Sequence, residues 1–107
     1  MSWIITPATE NPRDTPDYGA VEVKSITATS TEIIPAGTGP RFASLSNTPG
    51  GKNIYLSFGV AVDVTAKTYN FIIPPGYQDN KFEIPAQAIH AACATGETAS
   101  LIIGVAE

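Results

Sequence analysis

The chain has 107 residues and a formal charge of −4, from six basic and ten acidic side chains. Its hydrophobic content of 43%, against 15% charged residues, excludes general disorder, and its length suits one domain with one modest core. No two of the basic residues are adjacent, which argues against nucleic acid as a partner. One cysteine excludes an intrachain disulfide. The sequence has neither a signal-peptide pattern nor a run long enough for a membrane span, so we expect synthesis in a cytoplasm and no membrane association.

Residues 1–19 differ from the rest of the chain because three prolines are spaced through polar residues. Each proline removes a hydrogen-bond donor and disfavours helix at the preceding residue, which predicts an extended N-terminal arm without a core of its own. The arm is either a first strand that docks on its own domain or an anchor into a neighbouring subunit. The candidate partner-binding residues are its large apolar and aromatic side chains, Trp3, Ile4, Ile5 and Tyr18.

Residues 20–107 have the alternation and turn spacing of a β domain. The phase of the apolar residues changes near Lys24 and Ser25, which predicts either a bulge or turn there or two short strands. Residues 41–59 are typical of an antiparallel hairpin, because two alternating arms flank a turn that contains one proline and two glycines. Residues 35–40 are expected to be a connecting loop.

The second half of the β domain continues the pattern. Alternating valines at 60–64 and apolar residues at 69–73 predict two strands with a turn between them, and a short strand is expected at 81–84. Residues 86–94 contain five alanines and would also suit a helix, but Ile89, Ala91 and Cys93 would share one face of a strand. The last strand puts four apolar residues, from Ala99 to Val105, on one face.

Seven or eight short strands with turns every eight to twelve residues and no convincing helix predict an all-β, single-domain fold. We expect a β-sandwich or jelly roll at residues 20–107, preceded by the extended arm at residues 1–19. Such a fold hosts many functions, so function has to be argued from sites.

The chain offers no constellation for catalysis. His90 and Cys93 are the single histidine and cysteine, and on a strand they would point to opposite faces. Two such ligands are too few for a closed zinc site, and the carboxylates are dispersed. We therefore expect neither an enzyme nor a metal or other cofactor. The four tyrosines suit protein interfaces and sugar stacking.

From Val21 to Glu107 the chain resembles the small β-sandwich virion proteins of tailed bacteriophages that decorate or cement the capsid. The likeness lies in VKSITATSTEIIPAGTGPRFASLSNT, NIYLSFG, the PPG turn at 74–76 and the terminal TASLIIGVAE. The resemblance implies a structural protein on the capsid surface of the virion, bound to the major capsid protein as a symmetric homo-oligomer, with a trimer favoured.

The alternative is a phage fibre or tail-associated β-module, including a carbohydrate-binding one. An exposed groove lined by aromatic side chains would favour sugar binding, whereas a flat self-complementary face would favour a shell protein.

Overall fold

A computed structural model describes residues 21–38 and 41–106, and this part of the chain contains eight β-strands and no helix. The predicted arm at residues 1–19, with Trp3, Ile4, Ile5 and Tyr18, lies outside the described residues. The strands are β1 (Glu22–Ile26), β2 (Thr31–Ile34), β3 (Phe42–Asn47), β4 (Ile54–Phe58), β5 (Phe71–Ile73), β6 (Gln78–Glu83), β7 (Ile89–Ala92) and β8 (Ala99–Ala106).

The strands form two four-stranded antiparallel sheets. The first sheet has the order β1-β8-β3-β6 and the second sheet has the order β2-β7-β4-β5. The pairing is nested, since the first strand pairs with the last, the second with the seventh, the third with the sixth and the fourth with the fifth. Consecutive strands therefore lie in different sheets, except β4 and β5, which pair directly.

Both sheets contribute to one hydrophobic core, which confirms the prediction of an all-β fold. The alternation in β8 places Leu101 and Ile103 in this core, while Ile102 between them is 39% exposed. Burying one such side chain contributes about 1.5–3 kcal/mol. The largest fully buried apolar side chains of the described chain come from seven strands and include Ile26, Ile34, Leu45, Ile54, Leu56, Ile73, Ile89 and Leu101.

The predicted hairpin at residues 41–59 is wrong in its pairing. Its arms are β3 and β4, which lie in different sheets, and β3 pairs with β6 and β8 instead. The apolar residues of both arms nevertheless alternate as expected of strands, since Ala43, Leu45, Ile54 and Leu56 are all fully buried. Alternation fixes which side chains face the core, but it does not fix which strand lies alongside.

Asn47 holds the chain where it leaves the first sheet for the second. Its buried side-chain Nδ2 donates to the carbonyls of Lys52 and Ile73, at 2.8 Å each. Its backbone N–H donates to the Tyr77 carbonyl at 3.0 Å, and its own carbonyl accepts from the N–H of Gly76 at 2.9 Å. These hydrogen bonds fix the crossing from β3 to β4, two strands that do not hydrogen-bond to each other as the strands of a hairpin would.

The strand predicted at 60–64 is also wrong. Gly59 turns the chain out of β4 with a φ of +83°, and residues 59–70 form what we call the cover segment. In this segment Asp63 and Thr68 form an isolated bridge, with backbone N···O distances of 3.1 and 2.8 Å. Positive φ is cheap only for glycine, so the break in the strand is encoded at Gly59.

The cover segment lies against the outer face of the second sheet. Ser57 and Ala92 point to this outer side, yet each is only 1% exposed. Val62 of the cover segment is 8% exposed and lines a cavity of about 410 Å³ together with Ala92. The backbone N–H of Val62 donates to Ser30 Oγ at 2.9 Å, which fixes the segment to the turn between β1 and β2.

The remaining predicted strands agree with the structure. The region 86–94 contains strand β7 rather than a helix, and Ile89, Ala91 and Cys93 are all buried. The strand predicted at 81–84 starts earlier, at Gln78, and the one at 69–73 is shorter, at Phe71–Ile73. The region from 20 to 34 contains two short strands, with the break at residues 27–30 rather than near Lys24 and Ser25.

Candidate binding surfaces

The first candidate surface, which we call the tyrosine surface, consists of Tyr55, Tyr69 and Ile72. Tyr55 of β4 pairs directly with Ile72 of β5, so both side chains project from the outer face of the second sheet. The Tyr69 ring packs edge-on against Tyr55, with 4.8 Å between centroids and an interplanar angle of 60°. Ile72 is 41% exposed. The three residues present aromatic and aliphatic area to the surroundings.

Hydrogen bonds of the neighbouring Asn70 hold the chain in place next to Tyr69. The neighbouring Asn70 accepts a bond from the Phe58 N–H through Oδ1 at 3.0 Å, and its own N–H donates to the Leu56 carbonyl at 2.7 Å. The cover segment is thus tied to β4 directly beside the tyrosine pair. Rigid aromatic side chains with a polar tip are enriched at protein interfaces, because little conformational entropy is lost when a partner covers them.

The second candidate surface is a groove of about 670 Å³ at the side where the edge strands β5 and β6 lie. We call it the aromatic groove. Inside it the Phe71 ring lies 5.6 Å from the Phe82 ring and 6.1 Å from the Tyr77 ring. Its lining residues are Phe42, Phe71, Tyr77, Asp79, Lys81, Phe82 and Glu83.

The charged groups of the aromatic groove are ordered by local contacts. Tyr77 Oη donates to Asp79 Oδ2 at 3.2 Å, and the Lys81 N–H donates to Asp79 Oδ1 at 2.9 Å. Burial and the nearby Asp79 carboxylate raise the pKa of Tyr77, so its hydroxyl stays protonated and remains a donor. Lys81 Nζ lies 5.9 Å from the centroid of the Phe42 ring. The groove is therefore lined by partly buried rings that pack against the core, and it is bordered by ordered polar groups.

The third candidate surface, which we call the valine patch, lies on the outer face of the first sheet. Val21 is 56% exposed and Val23 is 68% exposed, and Val23 pairs with Ile102 of β8. Sequence reasoning placed these valines in a strand but gave no signal that they face outward, because outward and inward phases look alike until the partner strand is known.

His90 and Cys93, the single histidine and the single cysteine of the chain, lie in different environments. His90 of β7 is half-buried and pairs with Glu32 and Ser57. Cys93 is 2% exposed, and its Sγ lies 3.6 Å from the Ile26 carbonyl. Burial, with a smaller effect of Glu97, raises the pKa of Cys93 and so disfavours the reactive thiolate.

The carboxylates considered in the sequence do not converge. Asp63 caps a turn in the cover segment by accepting from the Ala66 N–H, whereas Asp79 and Glu83 border the aromatic groove. In the described part of the chain, no three His, Cys, Asp or Glu side chains are grouped to hold a metal ion.

Arg41 is a buried cation that sequence reasoning did not single out. It is 5% exposed, and its guanidinium donates to the carbonyls of Pro35 and Pro85 at 3.0 and 2.9 Å. Its Nη1 would lie only 2.8 Å from a Cβ built at Gly37, so a glycine there leaves room for the guanidinium. Arg41 links two loops and is closed off from solvent, which indicates a structural role.

Comparisons with protein-family models, curated proteins and solved structures found no match. In the described ranges there is no helix long and apolar enough to cross a bilayer.

Proposed function

We propose that the two sheets form a jelly roll. Nested pairing of the first strand with the last, through to the fourth with the fifth, is the order obtained when one long antiparallel ribbon is folded and rolled up. Jelly rolls occur in viral capsid proteins and in lectins, so the fold favours a binding role by analogy and leaves the choice of partner to the surfaces.

The protein, in this proposal, is a structural virion component that decorates the outside of a tailed-phage capsid and stabilises the shell without catalytic turnover. The observation that carries the proposal is the tyrosine surface, in which the half-buried Tyr55 and Tyr69 rings pack edge-on beside the exposed Ile72. The net charge of −4 disfavours packing against the genome inside the shell. The partner is the major capsid protein.

The tyrosine surface has the features of an energetic centre in an interface. Truncating a central aromatic or large apolar anchor commonly costs more than about 1 kcal/mol of binding free energy, and two anchors together weaken binding by at least about tenfold. A symmetric oligomer, with a trimer favoured, would engage several capsid subunits together, so the loss per subunit would be multiplied in the bound assembly.

The experiment adds purified protein to capsids that lack it, then measures bound copies and the temperature at which the shell ruptures. The wild-type protein should bind to saturation and raise the rupture temperature, because a ligand specific for the assembled state stabilises it. The double variant Tyr55→Ser/Ile72→Ser should bind at least about tenfold more weakly.

A matched control is Val60→Ser, which removes an apolar side chain that is 53% exposed outside the tyrosine surface. It should bind as the wild-type protein does. Absence of binding to capsids would reject the decoration role, and equal binding by the double variant would reject the tyrosine surface as its site.

A carbohydrate-binding fibre or tail module is the second candidate, and the aromatic groove is the observation that favours it. Ring faces stack on sugars, and Asp79, Lys81 and Glu83 offer acceptors and donors at its border. A glycan array with wild-type protein and Phe42→Ala tests it. Glycan binding that this substitution abolishes, together with no binding to capsids, would favour the second candidate.

A further inference from the structure

We propose that the valine patch (Val21, Val23 and Ile102) is the docking site for the apolar block Trp3–Ile5 of the same polypeptide. The proposal concerns the free protein and does not depend on the decoration role. It assigns a binding partner to a surface of the sheet that the proposed function leaves unused.

At the start of strand β1, charged side chains face the core side of the sheet and a valine faces outward, which is the reverse of what burial of apolar side chains would favour. Glu22 and Lys24 occupy the inward phase, opposite the buried Ile103 and Leu101, and their side chains form an ion pair at 3.4 Å. Val23 consequently points outward and is 68% exposed. An edge strand that turns its valines away from the core leaves apolar area in water unless another segment covers it.

A glycine occupies the outward phase of β8 beside the valine patch. Gly104 is the next outward position of β8 after Ile102, and it pairs with Ser44 of β3. Because Glu22 pairs with Ile103, Val21 lies beside Gly104. A glycine inside a strand has no side chain and often marks a close approach of another group. Beside the patch the sheet therefore carries no side chain at Gly104 and only the small side chain of Ser44.

The segment that precedes Val21 in the chain contains the proposed occupant. Residues 1–20 lead directly into Val21, so this segment reaches the sheet at the patch itself. Trp3, Ile4 and Ile5 are the one run of consecutive large apolar residues in that segment. The fifteen residues from 6 to 20 can span at most about 50 Å, which reaches the patch of the same domain or of a second copy.

The test uses Trp3, the single tryptophan of the chain, as the fluorophore in the full-length free protein. In the wild-type protein we expect blue-shifted emission and protection from acrylamide quenching. In Val23→Ser/Ile102→Ser we expect emission and quenching to move to the values of the urea-unfolded chain. The matched control, Val60→Ser/Ile72→Ser, removes apolar side chains of similar exposure elsewhere and should leave Trp3 as in the wild-type protein.

Thermal melting checks that each variant stays folded, and the single variant Val23→Ser replaces the double variant if that protein fails to melt cooperatively. Wild-type emission that survives dilution assigns docking to the same domain and supports the proposal, whereas a red shift on dilution assigns it to a second copy and overturns it. Emission of folded wild-type Trp3 equal to that of the unfolded chain, or emission unchanged by the patch substitutions, overturns it. Neither result involves capsids, so the decoration role is tested separately.

Discussion

The outer faces of the two sheets are built by the same alternation, yet they end in different environments. On the second sheet the cover segment lies across the outer face, and Ser57 and Ala92 are each 1% exposed. On the first sheet the equivalent side carries Val23 at 68% exposure beside Ile102 at 39%. The outward-facing side chains of a strand are therefore not always polar. Whether they are exposed depends on which other segment covers that face of the sheet.

The contrast also separates two kinds of apolar surface. Val62 lines a cavity with Ala92 and is 8% exposed, so it contributes to the stability of the domain. Val23 has no such role in the described part of the chain, which leaves it available for binding. Three measurements, taken from the largest expected effect to the smallest, test this contrast, and a fourth, with the smallest effect, tests the aromatic groove.

The largest effect is expected in thiol labelling. Cys93 borders the cavity beneath the cover segment and is 2% exposed, so reaction with a thiol reagent requires opening of the structure. If that opening has the free energy of global unfolding, native labelling is slower than unfolded labelling by roughly a thousandfold or more. A cysteine placed on the first sheet outside the valine patch, at the exposed Ser25 in Cys93→Ala/Ser25→Cys, should react at nearly the unfolded rate. Labelling of native Cys93 within about tenfold of the unfolded rate would mean that the cover segment opens locally, without global unfolding.

Adjacent residues of β8 should differ strongly in their contribution to stability. Leu101 is fully buried, so Leu101→Ala should cost about 2–5 kcal/mol through lost transfer free energy and a cavity. Ile102→Ala on the outer face should cost less than about 1 kcal/mol. Urea unfolding followed by circular dichroism measures both free energies of unfolding. Similar losses at the two positions would show that the outer face of the first sheet is covered as tightly as its inner face.

Two valines of the cover segment provide a finer comparison. Val62 is buried and Val60 is 53% exposed, although only one residue separates them. Val62→Ala should lower the free energy of unfolding by about 1–2 kcal/mol, whereas Val60→Ala should change it by less than about 0.5 kcal/mol. The same urea titrations apply. Equal effects would contradict the packing of the cover segment on the second sheet.

The smallest effect concerns pH and does not involve either outer face. Burial and Asp79 raise the pKa of Tyr77, so the folded protein holds this proton more tightly than the unfolded chain, in which tyrosine titrates near 10. The contribution of protonated Tyr77 to the free energy of unfolding is complete below about pH 10. It is lost as the pH rises through the higher pKa of the folded state. Thermal melting between about pH 9 and 11 should show a smaller alkaline loss in Tyr77→Phe than in the parent.

Cys93 has a raised pKa as well, so its own alkaline loss begins at lower pH. The Tyr77 comparison is therefore best made in a Cys93→Ala background. An alkaline loss that Tyr77→Phe leaves unchanged would show that other groups dominate the titration.

Much of the strand content could be predicted because alternation is a local property. The positions of β7 and β8 and their buried phases follow from residues two apart in the sequence, and the structure places Ile89, Ala91 and Leu101 in the core as expected. The valines at 60–64 alternate in the same way but form no strand, because Gly59 redirects the backbone and tertiary contacts favour the cover segment.

The candidate surfaces were only partly predictable. Tyrosines suit interfaces from their chemistry alone, but the contact between Tyr55 and Tyr69 depends on the cover segment returning to β4. The aromatic groove depends on β5 and β6 lying at neighbouring edges of different sheets, which joins Phe71 to Phe82. No spacing in the sequence encodes either contact, since the partners meet through the sheet topology.

By itself, the sequence determined an all-β fold and the buried side chains of strands such as β7 and β8, because these follow from a two-residue period. Tertiary structure alone decided that β3 and β4 belong to different sheets, that residues 59–70 cover the second sheet and that Val23 faces outward on the first. The physical reason is that strand pairing is chosen by the summed burial of both sheets and by buried polar clamps such as Asn47, which act between residues distant in the chain.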